Sequence, residues 1–189
     1  MGHHTISNVY FPGLNISNLG VFVLMDTKCS EAYDLVFFIF KQWIGGENIP
    51  TKITSDFEIG LINSLEKSFG ENKEYIGCYF HFKQALKRKF KDLGFSNTQT
   101  EYFLELIGFL TVINEDEISD GFLYFEEKAF QRFPDVNIET LKCFKSYFLS
   151  YWLPKYSLWN ISRFSVSESL RRTNNCLERY NRYCCISTY

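Results

Sequence analysis

Along the first half of the chain the apolar positions fall into two alternating kinds of run. "VFVLM" (21 to 25) is short, β-rich and unbroken, and predicts a strand. "SEAYDLVFFIFKQW" opens on Ser30 as an N-cap with Glu31 in the first turn, then turns apolar on nearly every side, which predicts a buried helix. The alternation repeats. "TKITSD" (51 to 56) is β-branched, and in the following "FEIGLINSLEKSF" Leu61, Ile62, Leu65 and Phe69 recur at helical spacing. "YIGCYF" (75 to 80) predicts a third strand, leading into "HFKQALKRKFKDL", whose Phe82, Ala85, Leu86 and Leu93 make one apolar face and whose cations make the other. Three strand-helix units in series predict an α/β sheet with a largely parallel part.

From about Gln99 the period stays helical. "TEYFLELIGFLTVI", "DGFLYFEEKAFQRF" and "IETLKCFKSYFLSYWL" show no strand alternation, and Pro134 separates the second from the third. A looser aromatic stretch (154 to 168) follows, and a short C-terminal helix is expected to start near Asn175. The predicted organisation is an α/β part over 1–95, a helical insertion over 96–168 and a last helix within 169–189.

Composition narrows the class. At 189 residues, 46% hydrophobic and 19% aromatic, the chain can bury a substantial core. A formal net charge of -2 argues against a generally basic nucleic-acid binder, so any DNA contact is local. No apolar run reaches the length of a membrane span, and "MGHHTISNVYF" lacks the pattern of a signal peptide, so no membrane partner and an intracellular location are expected. The six cysteines follow no disulfide framework, and in a reducing compartment the Asn-x-Ser triplets at Asn15 and Asn160 carry no glycan.

Several residues admit both a structural and a chemical reading. Ser55 and Glu58 have the spacing of a capping box, as do Asn175 and Glu178, and Glu178 can pair with Arg182 one helical turn on. Asp56, however, sits where a strand gives way to a helix, the edge of an open α/β sheet at which ligands usually bind. Cys78 and His81 form a C-x-x-H pair at the next such junction, too few ligands for a closed zinc site. The basic run 83 to 91 reads most simply as the solvated face of a helix, and alternatively as a phosphate-binding surface.

Taken in order, "ITSDFEIGLINSL", "GCYFHFKQALKRK", a helical stretch and "TNNCLERYNR" resemble the transposase domain of Mutator-like transposable elements, from about Val21 to Arg182. The resemblance implies an RNase H-like mixed sheet interrupted by a helical lobe, with three carboxylates (Asp, Asp, Glu) holding two Mg²⁺ or Mn²⁺ ions. Such a pair suits phosphodiester chemistry: one ion acidifies the attacking oxygen and the other stabilises the leaving one. Asp56 matches the second carboxylate and Glu178 the third, both as catalytic metal ligands; Cys78 and His81 match the family's C-x-x-H signature. Lys83, Lys87 and Arg88, with Arg171, Arg172, Asn174, Asn175, Arg179 and Arg182, are the implied DNA contacts, and a nuclear location follows if the protein acts on DNA. Homo-oligomers are compatible with this reading.

One departure matters. Residues 1 to 20 contain no Asp or Glu, and Asp26 follows the first predicted strand, so the family's first catalytic Asp and its strand are expected to be missing. Two readings follow: a partial transposase catalytic domain, inactive as it stands, or a non-catalytic relic that binds DNA or protein through 83–91 and 171–182. A sheet lacking an interior strand leaves open backbone edges unless "HTISNVYFPG" serves as a substitute.

Overall fold

The computed structural model describes residues 3–11, 16–44 and 50–162, with side chains described from Val23 onward. They divide into two compact units, one running to Cys78 and the other starting at Tyr79.

The first unit is mixed α/β. Strands β1 (His3–Phe11) and β2 (Ile16–Met25) form an antiparallel hairpin that sets His3 opposite Met25 and Phe11 opposite Ile16, with a register shift between Ser7 and Asn8. Strands β3 (Lys52–Ser55) and β4 (Glu74–Gly77) form a separate parallel pair in which Lys52 faces Glu74 and Ser55 faces Gly77. The sequence predicts an α/β sheet with a largely parallel part; the parallel part is this two-stranded pair, and β2, expected in the same sheet, lies in the separate hairpin. The parallel sheet has two strands among the described residues, because β2 finds its partner in the adjacent β1. Residues 4 to 11 of the "HTISNVYFPG" segment do become a strand, but beside β2 and not beside β3.

Helices α1 (Ser30–Ile44) and α2 (Ile59–Phe69) pack side by side and run in the same direction. Ser64 Oγ donates to the Ser30 carbonyl at 3.0 Å near one end, and Lys41 Nζ donates to the Ser68 carbonyl at 2.7 Å near the other. Between them Lys67 pairs with Asp34, and this hydrogen bond holds the Asp34 carboxyl below its usual range. The rings of Phe37 and Phe40 meet Phe69 edge-on at 5.5 and 6.4 Å. Only this side of α1 is covered. Leu35, Phe38, Ile39 and Trp43 remain 60, 62, 48 and 73% exposed, so the helix whose all-round apolarity predicts burial is bare on one face.

The second unit is helical: α3 (Tyr79–Asp92), α4 (Asn97–Gly108), α5 (Ile118–Arg132), α6 (Ile138–Tyr147) and a last short helix, α7 (Tyr156–Trp159). The predicted strand over 75–80 is therefore three residues too long, since Tyr79 and Phe80 already belong to α3. The unit boundary also groups α3 with the helical body, where the sequence reading set the division after residue 95. Ser96 caps α4 in a complete capping box with Gln99, and Asn137 caps α6 by accepting from the Glu139 and Thr140 N–H groups. Pro134 lies in the break between α5 and α6, as its missing N–H requires.

Aromatic rings fill this unit's interior. Phe82 stacks on Trp159 at 5.5 Å and meets Trp152 edge-on at 4.8 Å; Phe90 stacks on Phe144 at 4.1 Å. Between α6 and α7 the chain passes through a wider π-type turn, Phe148–Trp152. There the Trp159 indole N–H donates to the Trp152 carbonyl at 2.6 Å, a partner for a backbone group the widened turn loosens. The stretch from 154 that looks irregular in sequence is thus anchored by a fully buried tryptophan. Asn160 closes it: 2% exposed, its amide donates to the Leu110 and Ile113 carbonyls, so this Asn-x-Ser triplet is a structural lock. No helix among the described residues is long and apolar enough to cross a membrane.

Candidate functional site

The carboxyl end of β3 is the best-formed candidate. Ser55 ends the strand, its carbonyl accepting the Cys78 N–H at 2.7 Å, and Ile59 starts α2, leaving Asp56, Phe57 and Glu58 to turn the chain. The capping box that Ser55 and Glu58 suggest by spacing does not form. Glu58 itself occupies the N-cap position, so Ser55 lies too early; its hydroxyl donates instead to the Asp56 carbonyl at 3.0 Å. The Glu58 carboxylate is held by Tyr33 Oη at 3.1 Å and Lys28 Nζ at 3.2 Å.

Asp56 is differently placed. Its Oδ1 accepts the Glu58 N–H at 3.1 Å, an Asx turn that fixes the side chain at the start of α2. The second oxygen has no hydrogen-bond partner among the described residues. Of the two acids in the turn, Glu58 is thus committed to Lys28 and Tyr33, and the half-buried Asp56 offers one oriented oxygen at the end of a parallel strand. This is where an open α/β sheet presents ligand-binding groups.

Phe57 positions the turn. A Cβ at Gly77 would lie 2.2 Å from the tip of the Phe57 ring, so the ring sits directly on the β4 backbone and only glycine leaves room for it. Sequence reasoning missed this pair, although a glycine inside a predicted strand is the standard signal of close backbone approach. It also missed the hold of Lys28 and Tyr33 on Glu58, for which no local spacing gives a signal.

Cys78 follows β4 and is fully buried, whereas Cys29 and Cys143 are exposed and outside any disulfide. His81 lies half-buried in the first turn of α3 with its ring edge-on to Phe80 at 5.7 Å. Of the predicted DNA contacts in α3, Lys83 Nζ lies 5.9 Å over the Tyr79 ring, Lys87 is ion-paired with Glu101, and Arg88 is exposed. The Lys87 hydrogen bond holds the Glu101 carboxyl below its usual range and neutralises the middle of the predicted patch. Glu178, Arg171, Arg172, Asn174, Asn175, Arg179 and Arg182 lie outside the described residues.

For Mg²⁺ or Mn²⁺ the described residues therefore supply Asp56 alone. Hard divalent ions need several oxygen ligands, and no group of three His, Cys, Asp or Glu side chains comes together as a metal site among the described residues. One carboxylate oxygen does not make such a site. Compared with protein-family models, with curated proteins and with solved structures, the chain matches none.

Proposed function

We propose that this chain is part of the catalytic domain of a Mutator-like DNA transposase, with an RNase H-like sheet that lacks its first strand and first catalytic Asp. The observation that carries the reading is Asp56, held in an Asx turn at the carboxyl end of a parallel strand with one oxygen uncommitted. The motif order "ITSDFE", "GCYFHF", helical body, "TNNCLERYNR" adds to it.

Two features support a sheet that lacks an interior strand. The Thr51 and Ser55 carbonyls accept from the Glu74 and Cys78 N–H groups, so the odd-numbered residues of β3 face β4, and the Thr54 backbone points to the open edge. The bare face of α1, with Leu35, Ile39 and Trp43, is the second: in α/β folds such faces lie on sheet. On this reading the chain cleaves DNA very slowly or not at all, and its nuclear role is DNA binding.

The test is nicking of supercoiled plasmid in Mg²⁺ or Mn²⁺, by the chain itself and by the chain fused to an upstream strand carrying an Asp-x-Thr motif. Cleavage is expected only from the fusion, and is expected to vanish in Asp56→Ala and in Glu178→Ala. Failure of the fusion to cut, or cutting that survives both substitutions, would overturn the catalytic reading.

The alternative, a relic that binds DNA or protein without any catalytic ancestry in use, is favoured by the neutralised acid Glu58 and by the small parallel sheet. It predicts salt-sensitive DNA affinity that survives Asp56→Ala and falls when Arg171 and Arg172 become alanine.

A further inference from the structure

Four residues of the helical unit form a single file. Lys89 Nζ lies 4.8 Å from the centroid of the Tyr147 ring; Tyr147 stacks on Tyr151 at 5.6 Å with 11° between planes; Lys155 Nζ lies 3.7 Å over the Tyr151 ring. The sequence places them on three elements: the end of α3, the last turn of α6 with its π-type extension, and the short turn before α7. Two rings at i and i+4 stack because the helix sets them one above the other, and Lys155 continues the same spacing. The Trp152 indole N–H donates to Tyr147 Oη at 3.1 Å and fixes the inner end. The outer ring is open: Tyr151 is 39% exposed.

Lys87, Lys128, Lys142 and Lys145 each face a carboxylate. Lys89 and Lys155 face rings, as Lys83 does, and neither has an acidic partner within ion-pair distance among the described residues. Arg88, exposed beside them, has none either; its charge and that of Asp92 reach the Tyr147 phenol in opposite senses. Lys155 is bound to the Tyr151 carbonyl at 2.7 Å and its amine is pushed down by partial burial, so its charge gains by moving toward an anion.

We infer that the Lys89, Tyr147, Tyr151, Lys155 file is a binding site for single-stranded nucleic acid. Stacked rings flanked by cations are what such ligands need: phosphates take the ammonium groups and a base stacks on the exposed outer ring. Lys155 swings from the Tyr151 ring to a phosphate, and a base takes the face it leaves. A duplex keeps its base faces covered, and an acidic peptide has no use for the rings. The site uses neither Asp56 nor Glu178, so it stands or falls apart from the catalytic reading above.

The test is fluorescence anisotropy of a labelled oligothymidylate of about a dozen nucleotides and of a matched duplex, titrated with the whole chain in EDTA across a series of salt concentrations. Wild type is expected to prefer the single strand. The Lys89→Ala, Lys155→Ala double variant is expected to flatten the slope of log affinity on log salt by about 1.4, at roughly 0.7 per lost phosphate contact. Tyr151→Leu is expected to weaken binding about tenfold with little change in slope. Tyr151→Phe and Lys142→Ala are expected to bind as wild type; Tyr151→Phe keeps the ring and the packing, and so answers any loss of fold in the leucine variant. The inference is overturned if wild type does not bind the oligothymidylate, if duplex binds equally well, or if the double lysine variant keeps wild-type affinity and slope.

Discussion

At the scale of the residue, the candidate site depends on Gly77 as much as on any acid. The Phe57 ring occupies the space a side chain at 77 would need, so Gly77→Ala must push the ring, and with it the Asp56 turn, off β4. A loss of about 2 kcal/mol is expected, the ordinary cost of overpacking, measurable by urea denaturation. Asp56→Asn keeps the acceptor for the Glu58 N–H and should change stability by less than about 0.5 kcal/mol; a larger loss would mark Asp56 as a structural cap. Much of this site is legible in the sequence, because the strand-to-helix change at "TSDFE" fixes where Asp56 sits. The fate of Ser55 and Glu58 is not. A capping box needs the helix to begin one residue after the serine, and α2 begins at Ile59, a shift that Tyr33 and Lys28 stabilise from outside the segment.

At the scale of the element, α1 and α4 show what periodicity can and cannot say. α4 is fixed locally: removing the Ser96 hydroxyl in Ser96→Ala should cost about 1 kcal/mol, read as a lower melting temperature with the helical signal otherwise intact. For α1 the pattern correctly predicts a helix but says nothing about how many partners it has. Its α2 side is closed by Tyr33, Phe37 and the Asp34–Lys67 pair, while on its other side Leu35, Phe38, Ile39 and Trp43 are exposed. If that face is bare in solution, Leu35→Lys and Ile39→Lys should leave stability within about 0.5 kcal/mol of wild type and reduce binding of an apolar dye. A loss of several kcal/mol would mean that something covers it. The strand pairing is the other feature the pattern misjudged, since a β-rich apolar run predicts a strand but not its neighbour: β2 pairs with β1, whose polar "HTISN" gives little strand signal.

At the scale of the whole molecule, the two units share one response to alkali. Burial raises the phenol of Tyr75, which donates to the Leu65 and Gly70 carbonyls in the first unit, and that of Tyr147 in the second. Both groups keep their protons in the folded chain after the unfolded chain has begun to lose them near the ordinary value of 10.0. Their contribution to stability is therefore complete below that pH and is lost as pH rises through the raised folded values. Absorbance at 295 nm should show two phenols titrating late, and melting temperature should fall over the same range. The helical body was the most legible part of the chain, because Phe82, Phe90, Phe103, Phe122 and Phe144 mark their buried faces at helical spacing. Its last turn was the least legible, since no short-range pattern reveals that Trp159 closes against Phe82, far away in sequence. The three tryptophans also divide the protein optically: Trp43 faces water in the first unit, while Trp152 and Trp159 are sealed in the second. Iodide should quench the red-shifted emission and spare the blue, so a single unlabelled sample reports on each half in its own colour as it melts.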